Sequence, residues 1–146
     1  MDIVIYTDGA ARGNPGESAS GYAVYDSGGR LIHKEAVYNG INTNNYAEYN
    51  AIIGALVWCK RNMEGRDVNI RLFSDSQLVV RQLNGEYRVR SERMRVMNTE
   101  VLELSKYFDS VSFGNLPRGD KMIASVDRDL NILLDSINVT DEENFK

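Results

Sequence analysis

A single cysteine, Cys59, serves the whole chain, which excludes a disulfide framework and a thiolate metal cage. No apolar run approaches the ~18 residues a membrane span needs, so no membrane association is expected. The N-terminus opens directly into strand-like sequence, without a basic segment followed by a signal-peptide core. A soluble, cytoplasmic, monomeric protein is the expectation. Only two prolines interrupt the 146 residues, and no internal repeat, low-complexity segment or linker divides them. That length fits one domain with room for a real core.

A net basic charge is missing too. The formal charge is −4, which argues against bulk electrostatic attraction to nucleic acid. The charge is unevenly placed, however. Arg81, Arg88, Arg90, Arg93 and Arg95 face only Glu86 and Glu92 over one short stretch, while Asp141, Glu142 and Glu143 make the C-terminus acidic. A locally basic segment on an acidic protein can still track phosphates.

Asp2–Asp8 reads as a strand that stops at a Gly-Ala-Ala-Arg-Gly-Asn-Pro-Gly turn. Ser20–Asp26 and Leu31–Tyr38 read as two further strands joined by Ser27-Gly28-Gly29, a good hairpin turn. Thr43–Asn62 is helical, with Thr43 or Asn44 as N-cap. Val68–Ser74 is a fourth strand, Ser76–Leu83 a short helix, Ser91–Phe108 a longer one, Val111–Asn115 a fifth strand and Ile123–Ile137 the last helix. The order implies an α/β domain, a mixed five-stranded sheet of three antiparallel N-terminal strands plus parallel strands, flanked by helices. The domain is placed at residues 1–137, with 138–146 as an acidic tail.

Phase makes several acids look out of place. Val4, Tyr6 and Asp8 share one face of the first strand, and Phe73 and Asp75 share a face at the end of the fourth. Glu48 lies on the stripe of Ile52, Ala55 and Cys59, the buried side of its helix. Asp127 is in phase with Leu130, Leu134 and Ile137, whereas Asp129 is not. Two like charges about 4 Å apart repel by ~4 kcal/mol at an effective dielectric of 20. A hard cation such as Mg²⁺ or Mn²⁺ would neutralise such a cluster. Any one of these acids is well explained as a helix cap or a strand-end residue. Four on converging elements are not.

These residues also carry a resemblance. Tyr6-Thr7-Asp8-Gly9-Ala10 followed by Arg12-Gly13-Asn14-Pro15-Gly16 resembles the opening of ribonuclease H type 1. Thr43-Asn44-Asn45-Tyr46-Ala47-Glu48-Tyr49 is similar to that family's second motif. Ser74-Asp75-Ser76-Gln77-Leu78-Val79, with Asn84-Gly85-Glu86-Tyr87 after it, resembles the third, in the form of archaeal-like members that lack a basic protrusion. The match is in order and runs to about Asp135.

The resemblance implies an endoribonuclease that hydrolyses the RNA strand of RNA–DNA hybrids with two Mg²⁺ or Mn²⁺ ions, leaving 5′-phosphate and 3′-hydroxyl ends. It implies Asp8, Glu48 and Asp75 as catalytic metal ligands. For the fourth, an ungapped match after Pro117-Arg118 gives Ser125, and a loop two residues longer gives Asp127, which helical phase favours. The family's loop histidine has no counterpart; the one histidine, His33, falls in a hairpin strand as a surface residue. Substrate contacts are expected from Gly13, Asn14, Asn44, Asn45 and Gln77 around the RNA 2′-hydroxyl, from Thr43 on a DNA-strand phosphate, and from Gly9, Arg12 and Arg118. Arg88, Arg90, Arg93 and Arg95 are the nearest replacement for the missing protrusion, with Tyr87 placed to pack on a deoxyribose. Two other readings stand beside this one: another two-metal nuclease of the same fold, and a non-catalytic hybrid- or RNA-binding module whose fourth position is Ser125. Asn44, Asn45 and Gln77 favour the hybrid-specific nuclease.

Overall fold

Alternating apolar residues build β1 (Asp2–Gly13), whose Ile3, Ile5 and Thr7 point into one side of the sheet with no more than trace exposure. The structure is a computed structural model and describes residues 1–64 and 67–144, with the last helix's side chains described as far as 137. Among the described residues the chain continues as β2 (Gly16–Asp26), β3 (Leu31–Asn42), α1 (Asn44–Asn62), β4 (Asn69–Ser74), α2 (Gln77–Leu83), α3 (Glu92–Ser105), β5 (Ser110–Asn115) and α4 (Lys121–Asn144). The sheet order is β3-β2-β1-β4-β5. β1–β2 and β2–β3 pair antiparallel, and β4 pairs parallel with both β1 and β5. This is the mixed five-stranded α/β architecture expected.

The main core lies on the face that receives α1 and α3, where Ile3, Ile5, Val24, Tyr49, Ile52, Leu56, Leu72 and Val101 are fully buried. A smaller core on the opposite face holds Ala19 under Leu130 and Leu134 of α4. Fully burying each such leucine contributes about 1.5–3 kcal/mol, so α4 is pinned to the sheet by its in-phase stripe. No described helix is long and apolar enough to cross a membrane.

The first hairpin differs from the sequence reading. β1 does not stop at Asp8 but runs to Gly13, and β2 begins at Gly16 instead of Ser20, in register from Ile3↔Asp26 to Gly13↔Gly16. Gly9 and Gly16, which signal a turn in the sequence, serve close approach instead. A Cβ on Gly9 would fall 2.3 Å from the Ala47 carbonyl carbon, and one on Gly16 would fall 2.0 Å from the Arg12 carbonyl oxygen. Only Asn14 and Pro15 remain as the turn between the strands. β3 likewise runs past Tyr38 to Asn42, and α3 ends at Ser105, short of Phe108. The backbone of α4 continues beyond Ile137 to Asn144; the side chains of the expected acidic tail and residues 145–146 lie outside the described residues.

Candidate active site

Thr43 settles the start of α1. Its Oγ1 accepts from the Tyr46 amide at 3.1 Å, closing the first turn as an N-cap. That turn is pressed onto the β1 backbone at Gly9 and held from below by Ser20, whose hydroxyl donates to the Ala47 carbonyl at 2.6 Å. Glu48, next in sequence, is thereby aimed at the end of β4. It is 7% exposed, and its Oε2 accepts from the Ser74 hydroxyl at 3.3 Å. Parallel register pairs Thr7 with Ser74, the last residue of β4, so Asp75 leaves β4 beside Asp8, which continues in β1. Asp8 is 3% exposed, and its Oδ1 accepts from the Gly9 amide at 3.0 Å.

One carboxylate oxygen from each of Asp8, Glu48 and Asp75 lies within 4.8 Å of the other two. Asp127 of α4 comes within hydrogen-bonding reach of Asp8. The four acids line an open cleft of about 330 Å³ together with Gly9, Ala10, Ala11, Asn44 and Arg118. Asp127 lines this cleft and Ser125 does not, as helical phase indicates.

Phase correctly groups Val4, Tyr6 and Asp8, but their face is not the main core. Tyr6 is half-buried and stacks on Phe73 with ring centroids 5.7 Å apart, while Ile3 and Ile5 take the α1 side. Glu48 arrives from the α1 side and Asp127 from the α4 side. The acids therefore meet where β4 ends beside β1, between the α1 side and the α4 side.

Their proximity is written in their protonation. Burial, then the charges of Glu48 and Asp75, then Asp127, push the Asp8 carboxyl far above the usual carboxylate range. Burial and the Asp75 charge raise Glu48 as well, against the opposing hydrogen bonds from Gly9, Ser74 and Asp8. Burial also raises Asp75, with Asp8 and the Arg118 guanidinium working in the other direction. The donor set is all carboxylate oxygen and over-charged without a cation, which fits a hard divalent ion.

The expected substrate contacts divide. Asn14 and Asn44 clamp the hairpin to α1: the Asn44 amide donates to Asn14 Oδ1 at 3.1 Å, and the Ala11 amide donates to Asn44 Oδ1 at 2.9 Å. Gly13 takes a positive φ of 94° at the turn. Asn45 and Gln77 are exposed, one in the first turn of α1 and the other opening α2 just after Asp75. Arg12 turns to α4, with Nη2 2.6 Å from Asp135 Oδ1. His33 stacks on Trp58 at 4.4 Å and is not part of the cleft. Tyr87, Arg88 and Arg90 line a separate hollow of about 470 Å³ with Leu78, Gln82 and Glu86. Arg93 instead lies over the Tyr46 ring at 4.3 Å and donates to Asn42 Oδ1 at 2.8 Å. Sequence reasoning missed Ser20 and Ser74. Both are small polar residues in buried strand positions, and only the fold reveals which groups they serve.

A model of the RNase H family matches residues 1–113. Ribonuclease HI of Halobacterium salinarum is 36% identical over 113 residues, covering 77% of this chain and 55% of that protein. The chain spans about half or less of the length of the first curated relatives it matches. The crystal structure of RNase H1 from the same halophilic archaeon superposes with a TM-score of 0.85 at 33% identity, covering 93% of this chain and 99% of that one. LC11-RNase H1 in complex with an RNA/DNA hybrid superposes with a TM-score of 0.82 at 33% identity, over 88% of this chain and 94% of that one.

Proposed function

The chain belongs to the ribonuclease H family, and on that premise we propose that it is an endonuclease that hydrolyses the RNA strand of RNA–DNA hybrids, with Asp8, Glu48, Asp75 and Asp127 as its catalytic carboxylates. The observation that carries this reading is the convergence of three of these acids within 4.8 Å in an open cleft beside the fourth. Two divalent ions, Mg²⁺ or Mn²⁺, would supply the activation of water and the stabilisation of the leaving 3′ oxygen that phosphodiester hydrolysis needs.

The protein's part is to hold and orient. Asp8, Glu48 and Asp75, whose carboxylates converge, would hold the ions together with Asp127 beside them. The Ser74 and Gly9 donors fix which way the Glu48 carboxylate faces. Products would carry 5′-phosphate and 3′-hydroxyl ends.

Selecting RNA on the cut strand requires contact with 2′-hydroxyls across a wide, shallow minor groove. The Asn14–Asn44 clamp beside Gly9 and Gly13 offers polar groups at the cleft's rim, and Asn45 and Gln77 are exposed next to it. Thr43 would meet a DNA-strand phosphate at the start of α1, and Arg118, which lines the cleft, another phosphate. A working unit of 1–137 with an acidic 138–146 extension, acting as a cytoplasmic monomer, completes the reading.

The test is cleavage of an end-labelled hybrid with and without Mg²⁺ or Mn²⁺. Wild type is expected to cut the RNA strand only, and Asp8→Asn and Asp127→Asn are expected to abolish cutting. Hybrid binding without any cutting would refute the catalytic reading.

A further inference from the structure

Asp8 and Glu48 are held by backbone and hydroxyl donors of their own neighbourhood, but Asp127 projects from a helix and depends on different contacts. Asn131 lies one turn further along α4. Its Nδ2 donates to the Asp127 carbonyl at 3.0 Å and to the Asp127 carboxylate Oδ2 at 3.3 Å. Its other face meets Arg12, whose Nη2 donates to Asn131 Oδ1 at 3.2 Å and to the Asn131 carbonyl at 3.4 Å. Asp135, a further turn on, anchors the same guanidinium at 2.6 Å.

The chemistry of the three groups gives this chain of contacts a direction. Arginine can only donate, so it takes the oxygen of the Asn131 amide. The nitrogen is thereby turned toward Asp127, where it can only donate to the carboxylate. Arg12 sits at the end of β1, next to the turn that carries Asn14, so the contacts tie the fourth carboxylate to the hairpin at the cleft's rim.

We propose that Arg12 and Asn131 are positioning residues that orient the Asp127 carboxylate toward Asp8. This rests on the reading of Asp127 as a catalytic carboxylate. It assigns Arg12 to α4 and the acids, not to the hybrid.

The experiment pairs Mn²⁺ titration of the substrate-free protein by calorimetry with steady-state cleavage of a hybrid, for wild type, Asn131→Ala, Arg12→Lys and Asp127→Asn. Removing an outer partner of a metal-ligating group lowers affinity or activity by about 10- to 100-fold. Asn131→Ala is expected to lower kcat and weaken the weaker Mn²⁺ site within that range, leaving KM unchanged. Arg12→Lys keeps the charge but loses the fork, and a smaller change of the same kind is expected. The Arg12→Lys, Asn131→Ala double variant is expected to lose no more than Asn131→Ala alone, because the two act through one contact chain.

Wild-type Mn²⁺ titration and kcat in Asn131→Ala, beside loss of both in Asp127→Asn, would overturn the proposal while leaving the activity standing. A raised KM at unchanged kcat in Arg12→Lys would also overturn it, since Arg12 would then be a hybrid contact. So would a fall in kcat that follows loss of folded protein in melting curves, with Mn²⁺ binding per folded molecule intact. A wild type that never cuts would refute the activity itself, and the calorimetric comparison would still report on Asn131.

Discussion

Asp8 is 3% exposed and shares its surroundings with three other carboxylates, so its charge works against folding whenever no cation balances it. The raised folded-state values of Asp8 and Glu48 fix the sign. Below the ordinary carboxylate range both folded and unfolded chains hold the protons, and the full stability is present. As pH climbs above that range the unfolded chain ionises freely, while the folded protein must keep its protons or ionise against its neighbours. Metal-free protein is therefore expected to lose stability as pH rises from about 5 toward the raised values, by the linkage of proton binding to folding. Thermal melts in a chelating buffer check this, and added Mg²⁺ or Mn²⁺ is expected to restore the loss. Asp8→Asn is expected to flatten the pH dependence and raise the metal-free Tm near neutrality, each 1 kcal/mol gained amounting to about 2–4 °C in a chain of this size. A melting temperature insensitive to both pH and substitution would mean that the acids do not share one site. The four acids, Asp8, Glu48, Asp75 and Asp127, were legible as residues because each breaks the apolar pattern of its own element. The contacts that orient them were not: Ser74 and Asn131 belong to the motifs, but which carboxylate each one serves shows only once the elements that carry them are packed.

Between β1 and α1 the decisive contact is backbone against backbone. The Cβ that Gly9→Ala would add lies 2.3 Å from the Ala47 carbonyl carbon and 2.4 Å from the Glu48 nitrogen, so the first turn of α1 must move away. Overpacking of this kind destabilises by about 1–3 kcal/mol. The same movement would take Glu48 off Ser74, so cleavage is expected to fall further than the stability loss explains. Thr43→Ala separates the two effects. It removes the N-cap hydroxyl, at a cost of about 0.5–2 kcal/mol, without adding bulk against β1. Chemical denaturation of both variants, set beside their kcat values, checks the distinction: equal activity per folded molecule in Gly9→Ala and wild type would refute it. This contact also explains where the sequence reading went astray at the level of elements. The five strand-like runs and the helical stretch of α1 were clear, and the sheet's composition followed from the strands. The glycine-rich run after Asp8 has the composition of a loop, but its small residues let two strands and a helix terminus approach closely. Composition alone does not separate those uses of glycine.

Taken as a whole, the molecule carries a net charge of −4, and the proposed function has it approach a polyanion. The geometry divides its charges: four acids line the cleft, while Arg88 and Arg90 line the hollow beside α2 with Tyr87. Neutralising one phosphate releases condensed counterions, and each such contact adds about 0.7–0.9 to the slope of log affinity against log salt. With overall repulsion and only a short basic stretch, hybrid affinity is expected to be weak and strongly salt-sensitive. KM for a hybrid should rise steeply with added salt, while kcat at saturation moves little because Asp8 and Glu48 are buried away from bulk ions. Arg88→Ala and Arg90→Ala are each expected to raise KM at low salt and to flatten the log–log slope by ~1, the signature of a lost phosphate contact. The measurement is KM across a salt series for wild type, both single variants and the double variant. If the basic stretch is only a solvated surface, the four lines will be parallel and superimposed. If it is the hybrid's seat, the double variant's line will be the shallowest, because only charges that displace counterions change the slope.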